Sequence, residues 1–71
     1  MKFTKKTERW SNPRWYGRKN KIQFEIAGVE GRYYVLMEGE NDFRYNTLQD
    51  DLRFQTLEAA MEYCENYTKP K

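Results

Sequence analysis

The feature that most constrains the fold is a pair of strand-like segments joined by a glycine-containing turn. In KIQFEIA, residues 21–27, the apolar Ile22, Phe24 and Ile26 alternate with polar residues, which is the pattern of a half-buried strand. After the turn GVEG, the apolar run in RYYVLME predicts a second strand that is apolar on both faces and therefore central. Together the two segments predict an antiparallel hairpin.

Flanking segments extend this hairpin. RWYG predicts a strand before it, with RKN as the turn, and FRYNT predicts a strand after it, while LQDDLRF is either a loop or a further short strand. TLEAAMEYCENY then predicts a helix that begins after Thr56 as N-cap and that Pro70 ends. Its apolar stripe at helical spacing consists of Leu57, Ala60, Met61, Cys64 and Tyr67.

These elements predict an α+β fold with a three- or four-stranded antiparallel sheet and one C-terminal helix packed on a face. We expect residues 14–71 to form a single small domain and residues 1–13, which show no strand or helix period, to form a basic N-terminal arm. With 71 residues, 38% of them hydrophobic, the core is marginal for a monomer, so a homodimer stays open as an alternative.

Composition also bears on location. No apolar run is long enough to span a bilayer, and MKFTKKTERW lacks the apolar segment of a signal peptide, so we expect no membrane association. The single Cys64 has no partner for an internal disulfide, which favours the reducing cytoplasm.

Charge is distributed unevenly along the chain. Residues 1–21 contain eight cations and one acid, whereas residues 22–71 contain five cations and ten acids. The net charge of +2 therefore hides a basic end suited to anionic partners and an acidic remainder.

The basic end also contains flat aromatic groups. RWSNPRWYGRKNK, residues 9–21, has two tryptophans, a tyrosine, five cations and no acid. Nucleic-acid binding uses cations to displace counterions and aromatic rings to stack on bases. The sequence therefore predicts a small non-catalytic module that contacts DNA or RNA. The predicted contact residues are Lys5, Lys6, Arg9, Arg14, Trp15, Tyr16, Arg18, Lys19 and Lys21. The other interpretation of this stretch is structural, with Trp10 or Trp15 covering an end of a small core.

Catalysis is disfavoured by the residue types present. The chain has no histidine, and Cys64 lies on the apolar stripe of the predicted helix with no candidate base beside it. The adjacent Asp50 and Asp51 fit solvated turn residues better than a catalytic pair. We therefore expect no enzymatic activity, no cofactor and no metal site.

A protein partner is the alternative to nucleic acid. Six tyrosines are many for a chain of this length, and tyrosine is favoured at the centres of protein interfaces. Tyr33 and Tyr34 are neighbours on one strand, so only one of them faces the helix. The acids that would meet a basic partner are Glu58, Glu62 and Glu65 on the helix with Asp50 and Asp51 before it.

Two resemblances accompany these alternatives. In composition the chain is similar to small phage or mobile-element products that inhibit or adapt host machinery, which implies a host protein as partner. In the order of its sheet and FQTLEAAMEYC, over residues 14–67, it resembles the three-strand-plus-helix DNA-binding domains at the start of tyrosine recombinases, whose sheet lies against the duplex. That second resemblance covers topology without a diagnostic motif, and the acidic second half departs from it, so it assigns no residue.

Overall fold

A computed structural model of the protein describes residues 2–10 and 12–67. Five strands form one antiparallel sheet in sequence order, and one helix follows them. The strands are β1 (Thr4–Lys6), β2 (Arg14–Lys19), β3 (Ile22–Val29), β4 (Arg32–Glu38) and β5 (Arg44–Asn46). A 3₁₀ helix (Thr47–Asp50) and the helix α1 (Leu57–Asn66) complete the fold. The α+β class and the C-terminal helix are confirmed.

The strand count differs from the prediction of three or four. Residues 4–6 of the predicted arm form β1, an edge strand whose Lys5 pairs with Trp15 of β2. All three residues of β1 are exposed, so no alternation of apolar and polar side chains marks this strand in the sequence. Lysine is a residue that proteins favour on sheet edges, where it discourages pairing with other chains.

The predicted central antiparallel hairpin is confirmed. β3 and β4 pair from Gln23–Glu38 to Val29–Arg32, with Ile26 opposite Val35 and Gly28 opposite Tyr33. Gly28 and Gly31 both have positive φ, at 114° and 85°, which suits a residue without a Cβ. The turn itself is Glu30–Gly31, so of the predicted turn GVEG only its second half lies in the turn, and Gly28 lies within β3.

The core lies between one side of the sheet and α1. It contains Ile22, Phe24, Ile26, Val35, Met37, Ala60 and Cys64, all nearly or fully buried. Leu57, Met61 and Tyr67 of the predicted helical stripe pack against this core. The Thr56 side chain accepts a hydrogen bond from the Ala59 N–H and caps the helix as expected. The predicted stop at Pro70 lies outside the described residues.

The segment after β5 resolves the ambiguity of LQDDLRF. The predicted strand FRYNT ends at Asn46, whose side chain accepts from the Leu48 N–H and starts the 3₁₀ helix. Thr47 begins that helix and is fully buried, with its Oγ1 accepting a hydrogen bond from the Val35 N–H at 3.0 Å. Phe54 then bridges back to Tyr33 of β4 and leads into α1.

Candidate nucleic-acid interface

Alternation along β2 divides the predicted contact residues between two sides of the sheet. Trp15 and Lys19 pair with the core residues Ile26 and Ile22 and so lie on the helix side. Tyr16 pairs with Glu25 and lies on the other side, away from α1. We call this second side, over β1 to β3, the open face. Its charged and aromatic residues are Lys6, Arg14, Tyr16, Arg18 and Glu25.

Tyr16 is the centre of the open face. The Lys6 ammonium lies over its ring, with Nζ 5.2 Å from the ring centroid. Arg14 reaches Glu25, its Nη1 lying 3.5 Å from the carboxylate Oε1. The open face thus places cations around one half-buried aromatic ring, with a single acid among them on β1 to β3.

Glu25 raises the pKa of two neighbouring groups. Its negative charge raises the pKa of the Arg14 guanidinium, which is already a cation near neutral pH. Hydrogen bonding to Glu25 raises the pKa of the Tyr16 hydroxyl. Near neutral pH, Tyr16 is therefore an uncharged ring with a polar tip, beside a permanent cation.

The remaining predicted contact residues of β1 and β2 lie on the helix side, where they make intramolecular contacts. Lys5 Nζ lies 5.8 Å from the centroid of the Trp15 ring, and Trp15 packs against the core. Lys19 donates from its Nζ to the main-chain carbonyl of Glu65 at the end of α1, where a cation is favoured. These three residues tie strands and helix together and are not part of the open face.

Lys21 lies at one end of the sheet. It follows Asn20 in the β2–β3 turn, where both residues have positive φ. Its Nζ is 3.6 Å from Glu40 Oε1, so part of its charge is offset locally.

Arg9 lies in the loop between β1 and β2, next to Trp10. Its guanidinium carbon is 5.2 Å from the centroid of the Trp10 ring, and Trp10 is 88% exposed. Both residues line a cleft with Arg14 and Tyr34, at the end of the open face. Of the nine predicted contact residues, the structure therefore brings Lys6, Arg14, Tyr16 and Arg18 together, with Arg9 beside them.

Three residues at this face are absent from the predicted contact set. Tyr34 pairs with Ala27 and lies on the same side as Tyr16, since its neighbour Tyr33 faces the helix. Lys2 lines a groove with Tyr16 and Arg18. Trp10 is the third. The phase of β4 identifies Tyr34 once the register with β3 is known, but no pattern in the sequence reveals the direction of Trp10 or Lys2.

The residues of the protein-partner alternative are more scattered. Tyr33 contributes to the core side, and Tyr45 donates from its hydroxyl to Asp50. That hydrogen bond raises the pKa of Tyr45 to about 12. Tyr34 lies on the same side of the sheet as Tyr16, whereas Tyr63 and Tyr67 contact each other at the end of α1 with ring centroids 6.0 Å apart.

The described residues also bear on metal binding, membrane spanning and thiol chemistry. Among them, no group of three histidine, cysteine or acidic side chains is placed to hold a metal ion. In that same part of the chain, no helix has the length and apolarity needed to cross a bilayer. Burial raises the pKa of the Cys64 thiol to about 12, so the thiolate that a nucleophile requires is scarce at neutral pH.

Comparison with known proteins adds no family. No protein-family model, no curated protein and no solved structure matches the chain. The recombinase DNA-binding domains that the sequence resembles have three strands before the helix, whereas this sheet has five.

Proposed function

We propose that the protein is a small, non-catalytic module that binds nucleic acid through the open face of its sheet. The observation that carries this proposal is the clustering of Lys6, Arg14 and Arg18 around Tyr16 on the side of the sheet opposite α1. Trp10 and Arg9 extend the same combination of cation and ring at one end.

The chemistry of this face fits a polyanion with planar bases. Each phosphate neutralised by a lysine or arginine releases condensed counterions, which favours binding at low salt. Tyr16 presents a half-buried ring, and hydrogen bonding to Glu25 raises the pKa of its hydroxyl. Such rings stack on bases with little dependence on sequence.

The alternative, an adaptor or inhibitor that binds a host protein, is supported by the acidic residues of α1 rather than by the open face. Glu58 and Glu62 are exposed on the helix side of the molecule. The open face favours nucleic acid because its cations outnumber its acids on β1 to β3, whereas an acidic helix surface is more often simply solvated.

Neighbouring cations on opposite faces provide a matched test. The double variant Lys6→Gln/Arg18→Gln removes two charges from the open face, and Lys5→Gln/Lys19→Gln removes two from the helix side. The two variants have the same net charge, and each carries one substitution in β1 and one in β2. Titration of labelled oligonucleotides by anisotropy at low salt, with folding checked by circular dichroism, should show a loss of about tenfold or more for the first variant only.

Two results would count against the proposal. Equal losses in the two double variants mean that binding follows net charge and not the open face. If the unaltered protein shows no binding at low salt, nucleic acid is removed as the ligand and a protein partner becomes the favoured alternative. In that case, charge reversal at Glu58, Glu62 and Glu65 becomes the informative change.

A further inference from the structure

A cleft opens where the β1–β2 loop meets the end of the open face. Its volume is about 540 Å³, within the range of small-molecule sites. Two aromatic residues and two arginines line it: Trp10, Tyr34, Arg9 and Arg14. The β1–β2 loop supplies Trp10 and Arg9, and the strands supply Tyr34 and Arg14.

The aromatic residues differ in how firmly they are held. Tyr34 lies on β4, which pairs with β3, and its side chain is half-buried. Trp10 is 88% exposed, although the Arg9 guanidinium lies over its ring. An indole with this much free surface in a polar chain serves no core, and a planar group entering the cleft would cover it.

Two small residues also line the cleft. They are Ala27 and Gly28 of β3, and Ala27 is only 2% exposed. Because both residues are small, neither fills the cleft. The strand residues beyond them continue toward Tyr16 and Arg14.

The charges at the cleft are those that a phosphodiester requires. Arg14 is a permanent cation whose Nη1 lies 3.5 Å from Glu25 Oε1, and Arg9 lies in the loop beside it. The residues lining the cleft include no acid. Guanidinium groups bind phosphate oxygens in a bidentate manner and also stack on bases, so either arginine suits a nucleotide.

We infer that this cleft takes one unstacked nucleotide of a single-stranded nucleic acid. Its base stacks on Trp10, and its phosphate lies between Arg9 and Arg14. The inference rests on the proposed function and makes it narrower, because a base inside an intact duplex is unavailable for such stacking. The neighbouring phosphates of the strand then run along Lys6 and Arg18.

The test compares one labelled 12-nucleotide strand, alone and annealed into a blunt duplex, at the same low salt concentration. We expect the single strand to bind about tenfold more tightly than the duplex, in line with the contribution of one stacked base. Trp10→Ala should weaken single-strand binding about tenfold and duplex binding by much less. Arg9→Gln should weaken single-strand binding, whereas Arg53→Gln, which removes an exposed arginine paired with Asp51, should not.

Adenosine monophosphate, added as a competitor, tests whether the cleft binds a free nucleotide or a nucleotide within a strand. It should displace the strand only at concentrations at least about a hundredfold above the dissociation constant of the strand, because it offers nothing to Lys6 and Arg18. Equal affinity for the two ligands would overturn the inference that the occupant belongs to a strand.

Failure of the cleft inference and failure of the proposed function would give different binding results. If Trp10→Ala weakens strand and duplex equally or not at all while Lys6→Gln/Arg18→Gln weakens both, the cleft inference is wrong and open-face binding stands. If neither strand nor duplex binds at low salt, both proposals are wrong.

Discussion

The indole of Trp15 meets the ring of Tyr33 edge to face, with centroids 6.1 Å apart and planes at 78°. This contact joins β2 to β4 across the intervening strand β3, on the side of the sheet that packs against α1. Trp15 is thereby a structural residue, although it lies beside Tyr16 in the most basic stretch of the chain. The two tryptophans of that stretch have separate roles, since Trp10 is 88% exposed.

Replacing each tryptophan with alanine should separate these roles. Trp15→Ala removes a half-buried ring and its contact with Tyr33, so we expect a loss of about 2–3 kcal/mol in the free energy of unfolding. Trp10→Ala should change that free energy by less than about 0.5 kcal/mol. Urea titration followed by circular dichroism measures both. Equal stability of the two variants would contradict the assignment of Trp15 to the core.

Much of the fold follows from periodicity, because its central elements are half-buried. Ile22, Phe24 and Ile26 alternate cleanly, and Ala60 and Cys64 recur at helical spacing, so burial leaves a pattern in the sequence. β1 leaves none, since all its residues are exposed. Its place in the sheet depends on backbone pairing with β2, which side-chain composition does not encode.

The candidate site was harder to predict, because composition does not give direction. Composition predicts one basic patch, yet strand alternation places Tyr16 and Arg18 on one side of the sheet and Trp15 and Lys19 on the other. Period-two reasoning applied to RWYGRK separates these sets once one core-facing residue is known. The cleft at Trp10 depends on a loop conformation that no sequence period reports.

Gly28 and Gly31 should respond differently to alanine. A Cβ at Gly28 would lie 2.4 Å from the Arg32 carbonyl oxygen, and φ there is 114°. A Cβ at Gly31 meets nothing within 4 Å, so only the positive φ of 85° opposes it. We expect Gly31→Ala to cost about 1 kcal/mol and Gly28→Ala at least about 2 kcal/mol, measured by thermal or urea unfolding. Similar costs for the two substitutions would mean that the Arg32 carbonyl moves away from the added Cβ with little loss of stability.

The buried hydroxyl of Thr47 should matter more than its methyl group. Its Oγ1 accepts from the Val35 N–H in the core, and the residue is 0% exposed. Thr47→Val keeps the shape but leaves that N–H without its partner, which should cost about 1–3 kcal/mol of unfolding free energy. Thr47→Ser keeps the acceptor and serves as the control, with a smaller loss expected. A valine variant as stable as the serine variant would contradict this role.

The salt dependence of binding should report how many open-face cations meet phosphates. Five cations lie at the open face or its cleft: Lys2, Lys6, Arg9, Arg14 and Arg18. If all five engage, the slope of log affinity against log salt should be about −4.5 on a duplex and about −3.5 on a single strand. Anisotropy titrations at four or more salt concentrations measure it. A slope near zero would contradict phosphate contact by this face.

Alkaline conditions should destabilise the fold through groups that hold their protons more tightly when folded. Burial raises the pKa of Cys64 from 9.0 to about 12, and hydrogen bonding to Asp50 raises that of Tyr45 from 10.0 to about 12. Above pH 9 the unfolded chain therefore binds fewer protons than the folded one, so the free energy of unfolding falls as pH rises. This stabilisation is complete below pH 9 and is lost progressively toward pH 12.

Cys64→Ala isolates the thiol in this pH dependence. The variant should be less stable at pH 7, since it loses buried volume, but its stability should decline less steeply above pH 9. One proton accounts for a slope of at most about 1.4 kcal/mol per pH unit, so the difference between the two slopes should approach that value near pH 10–11. Urea titrations at pH 7, 9, 10 and 11 measure it. Parallel pH profiles would show that the Cys64 thiol ionises alike in both states, which its place in the core contradicts.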